Sequence, residues 1–158
     1  GAQKSMRRAD KEITDYHEIA AIMEKAAVCR LAMLDDDQPY IVPVNFAVRN
    51  NYLYFHTARE GRKIDILRKN NRVCFEIEAD VEVVKGTTAC SWSTRYRSVI
   101  GYGRALFLEQ ANEKKQALDC LMRKYGEKED FNYKPEILEK VTVIRVSMEK
   151  IIGKKSGY

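Results

Sequence analysis

Apolar residues at Ile19, Ile22, Met23 and Ala26 recur in steps of three and four. That is the stripe of an amphipathic helix, and it predicts one over Thr14–Ala27. Asp15 followed by Glu18 gives its start a capping-box pattern. The pattern then changes to short apolar runs. Val28–Leu34 reads as a strand, Asp35-Asp36-Asp37-Gln38 as a turn, and Pro39–Val48 as a second strand. Pro43 inside that strand marks an edge or a bulge, because proline has no N–H for a ladder. Arg49-Asn50-Asn51 reads as a hairpin turn, since asparagine tolerates positive φ. Tyr52–His56 is the third strand.

Arg62–Asn70 reads as a helix and Arg72–Ala79 as the fourth strand. Asp80–Thr94 has no clear period and reads as a loop. Tyr96–Leu108 is a long strand whose Gly101 and Gly103 signal bends or close backbone approach. Asn112–Tyr125 carries a helical stripe of Leu118, Leu121, Met122 and Tyr125, and Gly126 ends it. Val141–Met148 is the last strand, and Ile151–Tyr158 reads as a tail. Strands linked by hairpins, with few helices, predict a mainly β fold. The expected form is an antiparallel barrel or tightly curled sheet with peripheral helices, not a doubly wound parallel sheet.

The length of 158 residues predicts one domain over 1–158, with 1–12 as an arm and 150–158 as a tail. The net charge of +5 admits nucleic acid, acidic membrane or phosphorylated small molecules as partners, or simply a lysine-rich surface. Lys and Arg are spread along the chain and mixed with acids, which argues against nucleic acid. No segment reaches the ~20 apolar residues of a membrane span. The first ten residues lack the apolar stretch of a signal peptide, so a cytoplasmic protein is expected. Cys29, Cys74, Cys90 and Cys120 form no C-x-x-C pair, and only His17 and His56 could join them on a metal. Free thiols in a reducing compartment are the expectation, and no metal.

Candidate chemistry gathers after the third strand. His56-Thr57-Ala58-Arg59-Glu60-Gly61 empties into a helix that opens with Arg62 and Lys63. Free N–H groups at a helix start, beside two cations, suit a phosphate. Gly61 permits a close backbone approach. A solvated Arg-Lys pair is the plainer alternative. Val42-Pro43-Val44-Asn45 is a kinked apolar strand whose backbone, with the Asn45 amide, suits the edge of a flat heterocycle; an ordinary edge strand is the alternative. His56 suits ligand contact, acid–base work near neutral pH, or a strand cap. Arg97, Val99 and Gly101 share one strand face and Ser98, Ile100 and Tyr102 the other, so Arg97 or Ser98 can complete a polar pocket. Trp92 suits stacking on a flat ligand or ordinary packing.

These segments in this order resemble the pyridoxamine 5′-phosphate oxidase-like FMN-binding split-barrel family, and within it the nitroimidazole-resistance branch. The resemblance rests on residues 28–32, 39–46, 52–58, 61–65, 72–76 and 96–105, with Met6-Arg7-Arg8 and Glu12-Ile13 ahead of them. It implies a six-stranded antiparallel split β-barrel. It implies a homodimer with FMN sites at the interface. Arg62 and Lys63 would bind the FMN phosphate, and Val42, Pro43, Val44 and Asn45 would lie along the ring. His56 and Thr57 would contact FMN, with His56 beside the reacting face. Arg97 and Ser98 would reach the flavin, from either subunit.

The C-terminal Trp and Arg substrate signature of the oxidase itself is absent from residues 151–158. The implied activity is therefore an FMN-dependent oxidoreductase that reduces a small aromatic acceptor such as a nitroimidazole or other nitro compound. NAD(P)H or another reductant would supply electrons. The alternative is a non-catalytic flavin- or haem-binding protein.

Overall fold

A computed structural model describes residues 6–126 and 131–158. Eight strands are present among the described residues: β1 (Glu12–Ile13), β2 (Cys29–Asp35), β3 (Gln38–Val44), β4 (Ala47–Arg49), β5 (Tyr52–Thr57), β6 (Arg72–Val84), β7 (Ser93–Phe107) and β8 (Thr142–Ser156). The helices are α1 (Tyr16–Lys25), α2 (Arg62–Lys69), α3 (Ala111–Tyr125) and α4 (Pro135–Lys140). One antiparallel sheet runs in the order β3-β2-β6-β7-β8-β5-β4, with β1 added on β8.

The two ends of that order, β3 and β4, are joined in sequence by only Asn45 and Phe46. Two linking residues span at most about 11 Å. The sheet must therefore curl until its edges nearly touch, yet no ladder joins β3 to β4. The result is a barrel left split along one seam. Pro39 and Pro43 both lie on β3, an edge strand, where a missing N–H breaks no ladder.

Six strands were expected, and the difference has local causes. Pro39–Val48 breaks into β3 and β4, because Asn45 and Phe46 turn their hydrogen bonds away from the sheet. Their partners are Ala27 and Tyr125. The expected arm over 1–12 is docked from Ala9 onward, as a 3-10 turn followed by β1; residues 1–5 lie outside the described residues. The expected loop at Asp80–Thr94 is mostly an extension of the β6–β7 hairpin, entered through a bulge after Ala79. Valines at 81, 83 and 84 stay exposed there, which removed the alternation that marks a strand. The expected tail is the second half of β8, displaced by a bulge beside Gly103.

Inside the barrel lie Leu31, Phe46, Leu53, Phe55, Phe75, Val99 and Ile144, all essentially inaccessible. Gly101 leaves room for the Phe75 ring, since a Cβ there would sit 2.0 Å from it. A second apolar cluster, with Ala117, Leu118 and Leu121, fixes α3 over β4 and β5. Among the described residues no polar side chain is buried in the core. Chemistry must therefore sit at the rim and the seam. No described helix is long and apolar enough to cross a membrane.

Candidate functional site

The turn after β5 leads directly into α2. Gly61 is its N-cap, at φ 140° and ψ 173°, a conformation essentially closed to residues with a Cβ. Glycine carries no side chain to cap the helix, so the first-turn N–H groups keep no side-chain partner. The space above Gly61 is open, with nothing within 4 Å of where a Cβ would stand. Open space, unpaired N–H groups and the helix dipole together form a cradle for an anion.

The two cations at this cradle differ. Arg62 extends over β3, with its guanidinium 4.3 Å from the centre of the Tyr40 ring. It also lies 3.4 Å from a carboxylate oxygen of Asp35, the last residue of β2. Lys63 lies 5.6 Å from the centre of the Phe55 ring. It forms no ion pair among the described residues, and partial burial pulls its pKa below the ordinary lysine value. A desolvated ammonium without a counter-charge is costly. An anion bound beside it removes that cost.

Arg62 also ties the cradle to β3. Tyr40, Val42 and Val44 alternate on one face of this strand, and Ile41 and Pro43 point outward. From Tyr40 to Val44 the free edge runs about 13 Å. It ends at Asn45, whose amide NH2 donates to Ala27 O at 3.1 Å. His56 is exposed at the end of β5, and Thr57 follows it half-buried. The structure thus places His56 and Thr57 on one side, and Arg62 and Lys63 on the other, of a single strand-to-helix turn, and leads from Arg62 onto β3, which carries Val42–Val44 and runs into Asn45.

Arg97 and Ser98 lie elsewhere. Arg97 pairs with Lys155 of β8, whereas His56 pairs with Val143, twelve residues away on that strand. Arg97 is also engaged: it bonds Asp80 at 2.8 Å and lies 3.9 Å from the Tyr158 ring centre. Asp80 is further tied to Lys25 and, through its carbonyl, to the Tyr158 hydroxyl at 2.6 Å. Ser98 points outward on the same face as Ile100 and Tyr102. Within one chain, these two residues do not join the cradle.

Three participants escaped the sequence reading. Asp35 and Tyr40 orient Arg62, and only the alternation of Tyr40 with Val42 hinted at it. Tyr125 was counted as part of an apolar stripe, but its hydroxyl receives the Phe46 N–H at 2.9 Å.

Comparison with known proteins gives the family and relatives of the fold. The family model described as pyridoxamine 5′-phosphate oxidase matches residues 15–155. A crystal structure of a candidate 5-nitroimidazole antibiotic resistance protein from Bacteroides thetaiotaomicron is 35% identical, with a TM-score of 0.82, over 91% of this chain and 86% of that one. The flavocytochrome Anf3 of Azotobacter vinelandii (19% identity, TM-score 0.83, 98% of this chain and 73% of that one) shares the fold. So does the FAD- and haem-binding protein of Mycobacterium smegmatis (18%, 0.84, 94% and 74%). An uncharacterised protein of Rhizobium meliloti is 40% identical over 65 residues; the match spans 41% of this chain and less than half of that relative. The chain belongs to the pyridoxamine 5′-phosphate oxidase-like family.

Proposed function

We propose that the protein is an FMN-dependent oxidoreductase that reduces a small aromatic acceptor, with a nitro compound as the working substrate class. The observation that carries the reading is the cradle at α2. An uncapped helix start, open space above Gly61 and a half-buried, unpaired Lys63 together call for an anion. A phosphate monoester meets all three, and a flavin mononucleotide joins that phosphate to a planar ring suited to the edge of β3. The resistance protein from B. thetaiotaomicron, at 35% identity, supports the acceptor class.

When bound, FMN supplies two-electron transfer between a reductant such as NAD(P)H and the acceptor. The chain's own residues bind and orient. Lys63 and the first-turn amides of α2 neutralise the phosphate. Arg62, steadied by Asp35 and Tyr40, closes the cradle toward β3. Val42–Asn45 line the ring's edge and keep water from it. The exposed His56 imidazole stands beside the cradle, available to exchange a proton with an acceptor.

A homodimer completes the proposal. The outer sheet face exposes Ile41, Ile100, Tyr102 and Leu106, with Ile41 at 61%. Arg97 is held by Asp80, so the outward-pointing Ser98 is the residue a second copy covering this face would leave free to reach the cradle.

The purified protein should be yellow and should bind FMN stoichiometrically. It should bleach with NAD(P)H or dithionite and recover its colour on adding a nitroimidazole. Protein that takes up no FMN on titration overturns the reading. Bound flavin that never turns over with any reductant and acceptor pair favours the non-catalytic alternative, and a Soret band after reconstitution favours its haem form.

A further inference from the structure

The seam between β3 and β4 is held by a helix to which the proposed function assigns no role. Tyr125, the last residue of α3, places its hydroxyl 2.9 Å from the Phe46 nitrogen, 2.9 Å from the Phe46 carbonyl and 2.8 Å from the Ala27 carbonyl. The hydroxyl accepts from the Phe46 N–H and has one proton for the two carbonyls. Phe46 belongs to neither β3 nor β4, so its backbone groups have no ladder to return to if the hydroxyl is lost.

Ala27 O is shared. It also accepts from the Asn45 side chain at 3.1 Å. A carbonyl only accepts, so the Asn45 carboxamide must turn its NH2 toward it. The carboxamide oxygen is thereby left as the free end. One residue earlier on α3, Lys124 donates to Met23 O at 2.8 Å and lies 3.4 Å from the centre of the buried Phe46 ring. The last turn of α3 thus ties the end of α1, the approach to β2 and the β3–β4 link into one knot.

We infer that Tyr125 is a positioning residue for the ring-bearing strand. It fixes the Phe46 backbone and shares Ala27 O with Asn45, so the seam presents a fixed hydrogen-bond acceptor, the Asn45 carboxamide oxygen. The ligand chemistry that matches it is a planar heterocycle with an imide N–H donor, as the flavin ring has. The identity of that ligand rests on the FMN reading; the knot itself does not.

Tyr125→Phe in the full chain removes one oxygen and keeps the ring. Two measurements follow: amide exchange at Phe46 without ligand, and FMN titration with the spectrum of the bound flavin. The expected result is faster exchange at Phe46, affinity weaker by about five- to tenfold, the size of one hydrogen bond, and a shifted flavin band. Unchanged exchange at Phe46 overturns the knot, whatever happens to FMN. Faster exchange with unchanged affinity and spectrum overturns the positioning role and leaves a structural one. If the unaltered chain takes up no FMN, the proposed function and the ligand assignment fall together, and the exchange data still decide the knot. Should Tyr125→Phe fold poorly, Asn45→Asp asks the same question. A carboxylate cannot donate to Ala27 O, so the same band shift is expected, and an unshifted band at unchanged affinity counts against the inference.

Discussion

Two clusters of cations lie on this barrel, and they are built on opposite principles. At the start of α2, Lys63 is half-desolvated with no counter-charge among the described residues, and the helix has no side-chain cap. At the base of the β6–β7 hairpin, Arg97 is bonded to Asp80 and stacked on Tyr158, while Arg95 donates to Gly157 O and stacks on the same ring. Both clusters look alike in sequence, as arginines and lysines near strand ends. One is left electrostatically incomplete and the other is neutralised from within. The incomplete cluster is the one to which the proposed function assigns an anion, and the completed one has the build of scaffold.

The widest separation between the two comes from removing charge. Arg62→Ala with Lys63→Ala should weaken FMN binding by about a hundredfold, on the order of 3 kcal/mol for two charge-assisted contacts in a partly exposed site. The melting temperature of the ligand-free chain should hold or rise, because an uncompensated cation is gone. Isothermal titration and thermal melts check both halves. A hundredfold loss from altering the Arg97 cluster instead would reverse the comparison.

Gly61→Ala tests the cradle through the backbone. The φ of 140° is closed to alanine at a cost of about 1–3 kcal/mol. The helix start must shift, and FMN affinity should fall by about tenfold, with some loss of stability. Unchanged affinity by titration would separate the glycine from the phosphate. On the other side, Asp80→Asn should lower the melting temperature by a few degrees while FMN affinity in the single chain stays the same. Folding stability there depends on the carboxylate: its pKa is held low by Lys25 and Arg97. That support is full above the ordinary aspartate range and is lost as pH falls through the lowered value.

The sequence made much of this legible. Helical periodicity located α1 and α3, and alternation with turn residues located the strands of the barrel wall. Pro43 correctly announced an edge. The run from His56 to Lys63 pointed to the β5–α2 turn as the candidate site, because glycine, small residues and adjacent cations are local signals. Long-range pairings were not legible. That Arg62 would rest on Tyr40, or Arg97 on Tyr158 sixty-one residues away, depends on how the sheet curls. Periodicity is blind to that. The β6–β7 extension was missed for another reason: its valines do not alternate in burial, and strand assignment rests on one face being hidden. Tyr125 was misread as purely apolar because a tyrosine on a helical stripe looks like packing until its hydroxyl finds a backbone partner.

Lys124 falls between the two clusters and sharpens the comparison with the smallest effect. Its ammonium has a carbonyl and an aromatic face for company but no ion pair among the described residues, and burial pulls its pKa down to about 8. A lysine depressed on folding binds fewer protons in the native state than in the unfolded one. Stability should therefore rise with pH from about 8 toward the ordinary lysine value of 10.5. Cys29 opposes this from above. Burial pushes its thiol from 9.0 up to about 12, so the unfolded chain ionises first and stability declines once pH passes 9. The clean window is pH 8 to 9. Denaturant unfolding across it should show a small upward slope in the unaltered chain, and Lys124→Met should flatten that slope. A slope that survives the substitution would mean the ammonium is already compensated, and would move Lys124 into the class of Arg97.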